Sequence, residues 1–256
     1  MRENFNSAGN VLFLGVVFKP IHMDEVLQRI SEREVSAPFT YVVTPNVDHI
    51  VRLHAGKDRL MPLYYDAWMC LCDSKVLQLL ARIAMRSLPV VRGSDLTARL
   101  FTDVIKSGDH ICVIGGDDKV VDLLEISVGS DLISHYNPPM GFVESPGEIE
   151  KCVEFIIDHP SRYVFLAVGS PQQEIVARAV QKTGKATGTG FCIGASIDFL
   201  TGKEVRSPNW MQKCSIEWLF RLLQDPKRLW RRYLLHGPVI FLIFLAWLFS
   251  RPPKNS

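Results

Sequence analysis

The side chains best suited to chemistry stand where apolar, β-branched stretches stop. FTYVVT (39–44) runs into Pro45-Asn46-Val47-Asp48, and the short apolar run Trp68–Cys72 ends at Asp73-Ser74. A carboxylate so placed can take a proton from an attacking hydroxyl in glycosyl or acyl transfer. Asp73 equally suits the N-cap of a helix beginning near Lys75, and Asn46 and Asp48 carry the same two readings. The Thr44 hydroxyl can donate to a ligand oxygen or cap the turn that follows. Singly these groups say little; their recurrence on successive strand ends says more. Gly115-Gly116 and Gly169-Ser170-Pro171 make sharp turns between a strand and a helix, where backbone amides suit a diphosphate. Glycines are also common in such turns without any ligand.

Other chemistries find less support. The chain has no G-x-x-x-x-G-K-[ST] and no G-x-G-x-x-G after its first strand, which argues against ATPase and dehydrogenase readings. Asp117-Asp118 reads as a solvated loop, and no His/Cys cluster is visible, so no metal or other cofactor is expected. Lys plus Arg number 29 against 27 Asp plus Glu, a net charge of +2. Nucleic acid is not an expected partner, because the basic residues lie among large apolar ones. Six cysteines lack any C-x-x-C pair, and Cys70 and Cys72 face one side of a strand. Buried free thiols in a reducing compartment account for them. The first residues, MRENFNSAGN, lack a secretory pattern, so the expected compartment is the cytoplasm.

Strand-like and helix-like stretches must position these groups, and they alternate along the chain. Strands are expected at 11–18, 39–44, 68–72, 109–114, 132–136, 163–168 and 186–193. Helices are expected at 23–31, 48–55, 76–86, 96–105, 120–128, 148–158 and 172–183. Such alternation predicts an α/β fold, a mostly parallel sheet covered by helices on both faces. Its ligands belong at the carboxyl ends of the strands.

The tail differs from the rest. Arg221, Lys227, Arg228, Arg231 and Arg232 are interleaved with Trp218, Phe220, Leu229, Trp230 and Tyr233, and an unbroken apolar run follows from Val239 to Phe249. Arg221, Arg228 and Arg231 fall roughly on one side of a helix, and Pro226 is expected to start a second helix or bend the first. Guanidinium groups bind phosphate oxygens, whereas a merely basic face attracts anionic lipid. The eleven apolar residues reach about 16 Å as a helix, against roughly twenty residues needed to cross a bilayer. Attachment parallel to a membrane surface, or a shallow insertion, is the first reading, a short tilted span the second, and packing on protein the third.

Several motifs, in order, resemble the WecG/TagA/CpsF glycosyltransferases. They are TPNVDHI (44–50), Asp73, LPVVRGSDL (88–96), ICVIGG (111–116), FLAVGSPQQE (165–174), GTGFCIGASIDFLTGKEVRSPNW (188–210) and IEWLFRLLQDPKRLWRRYL (216–234). The resemblance implies a Rossmann-like domain over 1–209 and a C-terminal helical membrane-binding appendage over 210–256. It implies inverting transfer from a nucleotide-diphosphate sugar to a polyprenyl-diphosphate-linked sugar, with no essential metal. Asp73 takes the place of the general base, with Thr44 and Asn46 lining the same pocket. Arg92 fills the basic position of its motif. Gln173 and Glu174 match the loop after Gly169, with Gln172 standing where a basic residue is usual. Arg221, Arg228 and Arg231 match the arginines that engage the lipid diphosphate or the leaving nucleotide.

Asp73-Ser74-Lys75-Val76 departs from the Asp-Gly-x-Gly of many members, and CDSKVLQLLARI is more similar to the exopolysaccharide branch that adds a second glucose. The expected donor is a UDP-sugar, UDP-glucose foremost, and the expected product an exopolysaccharide or capsule precursor. N-acetylmannosamine or its uronic acid as donor sugar, and a non-catalytic membrane assembly role, are the alternatives. The expected location is the cytoplasmic face of a bacterial inner membrane, with a homo-oligomer shielding the tail.

Overall fold

Eight strands form two sheets among the described residues. The computed structural model describes residues 9–116, 121–122, 124–125, 132–194, 196, 211 and 217–250; the side chains at 57, 58, 217, 218, 221, 228 and 232 lie outside that description. The chain begins with β1 (Val11–Phe13) and β2 (Val16–Phe18), continues through α1 (Met23–Ser31), and reaches β3 (Thr40–Val43), α2 (Val47–Ala55), α3 (Lys57–Leu60) and α4 (Pro62–Tyr65). Next come β4 (Met69–Cys70), α5 (Lys75–Ile83), α6 (Gly93–Arg99) with a wider π-type turn to Val104, β5 (Ile111–Ile114) and β6 (Ile133–Tyr136). The remainder is α7 (Pro146–Asp158), β7 (Tyr163–Leu166), α8 (Gln172–Thr183), β8 (Thr189–Cys192), α9 (Glu217–Gln224), α10 (Pro226–Trp230) running into a π-type turn to His236, and α11 (Val239–Phe249).

The main sheet has the order β4-β3-β8-β7-β5-β6, and every pairing in it is parallel. The expected α/β fold with a parallel sheet is therefore the observed one. Alternate strand residues feed two cores. Tyr41, Val43, Cys112, Ile114, Val164 and Leu166 face one side, where they meet Ile50 of α2, Leu77 of α5, Cys152 of α7 and Val176 of α8. Val42, Met69, Ile111, Val113, Phe165 and Phe191 face the other, against Val26 of α1 and Leu96 of α6. Period-two alternation in the strands and i, i+3, i+4 spacing in the helices put both apolar faces inward.

β5 leads outward to β6, while β7 leads the opposite way to β8, so connections diverge between these two neighbours. Leu124, after β5, joins the second core, and Val176, after β7, joins the first. The helices leave on opposite faces, which opens a crevice at the carboxyl ends of β5 and β7.

Two sequence expectations change. Val11 to Phe18 is a hairpin, not one strand: Leu14 and Gly15 both take positive φ, 50° and 79°, as a two-residue turn between Phe13 and Val16 requires. The helix expected at 96–105 starts at Gly93 and loosens into the π-type turn after Arg99. Beyond β4 the sheet gains a further parallel bridge, Cys72 to Val90. The helix expected at 120–128 falls largely outside the described residues.

The apolar tail run is α11, and one face of it packs on the protein itself. Ile240 and Phe244 are buried, one helical turn apart, in the same cluster as Phe13 and Ile50. The Phe13 ring lies edge-on to Phe244 and Trp247, at centroid distances of 6.2 and 5.1 Å. The other face is open: Leu242 is 67% and Phe249 85% exposed. Among the described residues no helix is long and apolar enough to cross a membrane, so the reading as a tilted span gains no support.

Candidate active site

Asp73 stands where β4 gives way to α5. Its backbone N–H donates to Pro45 O at 3.0 Å, which ties the ends of β3 and β4 together. Ser74, not Asp73, caps α5: its Oγ accepts from Leu77 N at 3.3 Å. The cap being supplied by the next residue, the Asp73 carboxylate takes another task. Asp73 Oδ2 accepts from Gly93 N at 3.2 Å, across the Cys72–Val90 bridge. That contact sets the direction of Oδ2.

Gly93 is the point on which the site converges. A Cβ there would lie 2.9 Å from Thr44 Oγ1, 3.5 Å from Ser196 Oγ and 3.6 Å from Asp73 Oδ2. Only hydrogen fits without displacing Thr44. One carboxylate and two hydroxyls, from three strand-end segments, thus surround a single backbone position. Such a group can accept a proton from an incoming hydroxyl and hold its oxygen by hydrogen bonds. Gly93 and Ser196 belong to stretches singled out in the sequence, yet neither is legible there as a site residue. Their signal is spatial.

Asn46 follows its capping reading. Its Oδ1 accepts from Asp48 N at 3.1 Å and His49 N at 3.4 Å, and His49 Nδ1 lies 3.3 Å from Asn46 N. This side-chain oxygen is committed to the start of α2. Asp48 pairs with Arg52 at 2.9 Å, one turn along, and Arg52 also donates to Ser170 O. Arg52 therefore links the turn after β3 to the turn after β7. It was not among the residues picked from the sequence, although its i, i+4 spacing from Asp48 is the available signal.

Gln173 and Glu174 turn inward, 3% and 1% exposed. Gln173 Oε1 accepts from Gly194 N at 2.7 Å, and Gln173 Nε2 donates to Glu174 Oε1 at 2.9 Å. These side chains hold the turns after β7 and β8 against each other. Burial pushes the Glu174 carboxyl above the ordinary carboxylate range; the Gln173 and Ser170 side chains and the Arg52 charge pull partly back. Glu174 Oε2 and Ser170 Oγ are both buried without a well-formed hydrogen bond.

At the β5 exit, Gly115 has φ 86°, and a Cβ there would come within 2.6 Å of Val168 Cγ1. Glycine lets the two strand exits touch. The Gly115 N–H donates to Tyr136 O at 2.8 Å, so this amide serves the sheet edge. Gly116 also has positive φ, 83°, while Asp117 and Asp118 lie outside the described residues. At Gly169, φ 78°, a Cβ would meet nothing within 4 Å. Backbone there faces open space at the crevice.

Arg92 precedes Gly93 and reaches Asp95 Oδ2 at 3.5 Å, a long contact. In the tail, Pro226 does start a second helix, α10. Arg221 and Arg228 lie on α9 and α10, with side chains outside the described ones; Arg231 is exposed, its guanidinium 5.3 Å from the centroid of the Trp230 ring. The tail meets the body at α2, the helix that begins at Asn46, and at the hairpin. The described contacts do not bring Arg231 to Asp73.

Strand-end polar groups, a crevice between β5 and β7 and a tail docked on α2 suit transfer between two bound substrates. Residues 11–254 match the family described as Glycosyl transferase WecG/TagA/CpsF family. With nearly the whole length matched, the chain belongs to that family, whose activity is glycosyl transfer in polysaccharide synthesis.

Proposed function

We propose that the protein is an inverting hexosyltransferase that moves a sugar, glucose foremost, from a UDP-sugar to a polyprenyl-diphosphate-linked sugar during exopolysaccharide or capsule precursor synthesis. The observation that carries the reading is the convergence of Asp73 Oδ2, Thr44 Oγ1 and Ser196 Oγ on Gly93. Asp73 accepts the proton of an acceptor hydroxyl, whose oxygen attacks the anomeric carbon as the bond to the diphosphate oxygen breaks. UDP leaves with the electron pair, and a single displacement inverts the anomeric centre. Thr44 and Ser196 orient the acceptor oxygen, and the crevice at Gly116 and Gly169 takes the diphosphate. The tail cations Arg221, Arg228 and Arg231 offset the charge that develops there, and Arg92, next to Gly93 in the chain, serves the acceptor side.

Docking on the inner-membrane surface brings the enzyme to its lipid-linked acceptor. The open face of α11 supports this, with Arg231 exposed on the turn that precedes it and Lys227 exposed on α10. The unit over 1–209 carries the base and the crevice, and the segment over 210–256 serves the surface and supplies its arginines to the diphosphate. The test offers a panel of UDP-sugars with a polyprenyl-diphosphate-glucose acceptor analogue and identifies the product by mass and anomeric configuration. UDP-glucose is expected to give a β- from an α-linked donor. A retained configuration, or no transfer from any UDP-sugar, sinks the proposal.

A further inference from the structure

A groove of about 600 Å³ is lined by residues of the segments that follow Asp73 and flank Gly93, and by none from the crevice between β5 and β7. It runs between the starts of α1 and α5 and the length of α6. Its apolar lining is Met23, Pro89, Val90 and Ala98, and its polar lining includes Gln78, Arg92, Asp95 and Arg99. His22 and Lys75 complete the rim. The volume is in the range of small-molecule sites, roughly 300–1,000 Å³. One chain connection and one hydrogen bond tie it to the reacting group. Lys75 is two residues past Asp73, and Arg92 precedes Gly93, whose N–H holds the Asp73 carboxylate.

The charges of the groove favour one ligand chemistry over another. Arg92 faces Asp95, and Arg99 is paired with Asp103 and, at 3.2 Å, with Asp24. Asp95 lines the groove, and Asp24 and Asp103 stand against Arg99 at its edge, so a phosphate entering here would meet carboxylates as well as the cations Arg92, Arg99 and Lys75, which is a mixed rather than a cationic setting. A neutral polyhydroxyl ligand suits it: mixed donors and acceptors on the rim meet hydroxyls, and an apolar floor meets the C–H face of a pyranose. We infer that this groove is a saccharide subsite, which seats the glycan part of the acceptor and presents its terminal hydroxyl to Asp73. The inference rests on the glycosyl-transfer reading and adds to it where the acceptor sugar sits.

The test uses the full chain with Ala98→Phe, which fills the groove, and Gln78→Ala, which removes a rim group. Neither position touches the crevice. The acceptor KM is expected to rise at least fivefold in both, with the donor KM within twofold of the parent. A smaller rise, or an equal rise for the donor, overturns the inference. Should Ala98→Phe melt well below the parent, Gln78→Ala alone decides by the same criterion. A second arm separates this inference from the transfer reading: saturation-transfer NMR with methyl β-cellobioside, which needs no turnover. If the parent transfers no sugar, the glycosyl-transfer proposal fails while this arm still decides the groove. Saturation transfer to the glycoside in the parent that is lost in Ala98→Phe supports the subsite; no transfer in the parent, or the same transfer in both, overturns it.

Discussion

At the scale of single residues, Asp73 has a carboxylate whose direction is set and whose neighbour does the capping. Asp73→Asn keeps the size and the acceptor oxygen for Gly93 N but removes the proton-accepting charge. Turnover is expected to fall at least 100-fold, the lower range for loss of a general base, with the melting temperature little moved. Near-normal turnover would remove Asp73 from the mechanism. Gly93→Ala tests the convergence itself. A Cβ 2.9 Å from Thr44 Oγ1 forces that side chain to rotate, and the cost should appear in turnover more than in stability. The expected coupling is specific: the change is severe in the parent and mild in a Thr44→Ala background, where the obstructing hydroxyl is already gone. Equal effects in both backgrounds would separate Gly93 from Thr44.

Glu174 makes a different residue-scale prediction. Its folded-state pKa is raised, chiefly by burial, so the native state binds a proton more tightly than the unfolded chain does. Stability from this group is present below the unfolded carboxylate pKa and is lost as pH rises through the folded one. Glu174→Gln keeps an acceptor for Gln173 Nε2 and offers an amide donor where Glu174 Oε2 and Ser170 Oγ now lack partners. At pH 8 the variant is expected to be more stable than the parent by about 1 kcal/mol, the low end for relieving an unsatisfied buried group. Chemical unfolding at pH 4 and pH 8 measures it. A parent that gains stability relative to the variant on going to pH 8 would contradict the assignment.

At the scale of elements, α11 has two faces of unlike consequence. Phe244 is 5% exposed and packs on Phe13, so Phe244→Ala should cost about 3–5 kcal/mol. Leu242, 67% exposed, should change stability by less than about 0.5 kcal/mol when cut to alanine. Equal effects would mean that α11 does not dock as described. The run was legible in the sequence as apolar and too short to span. Its seat was not, because a helix apolar on every side has no periodicity to say which side is covered. Helices with one apolar stripe were legible almost to the residue: α1 and α8 begin and end where spacing put them. The four-residue helices α3 and α4 were not, since one turn is too short to show a period. The Val11–Phe18 hairpin was missed because its turn uses Leu14 in a left-handed conformation, which a leucine does not advertise.

At the scale of the whole molecule, the parallel sheet was legible from alternation, but its order was not. β7 and β8 insert between β5 and β3, and this brings the turns after β3, β8 and β7 side by side. Arg52 and Gln173 then lace them, through Ser170 O and Gly194 N. Apart from the tail arginines, the site residues named from the sequence were groups at or near strand ends; those missed, Gly93, Ser196 and Arg52, act across strands that the chain order keeps far apart. The same arrangement sets α2 between the site and α11. Asn46 starts α2, and the body of α2 is the floor on which the tail rests.

That geometry gives the surface-binding reading a sharp test. Leu242 and Leu245, both exposed, face away from the body, and Arg231 lies exposed on the turn before α11. Leu242→Glu with Leu245→Glu puts two charges on the open face without touching Phe244 or Ile240. Partition onto vesicles containing phosphatidylglycerol should weaken at least 30-fold, which is about 2 kcal/mol, within what burying two leucines in lipid is worth. The melting temperature in solution should hold. Arg231→Glu should weaken binding at low ionic strength and little at high, since headgroup attraction is screened by salt while apolar insertion is not. Unchanged sedimentation of the double variant with vesicles would refute insertion of this face. If instead that variant shifted the protein to a smaller assembly while still binding vesicles, the open face would belong to a contact between copies.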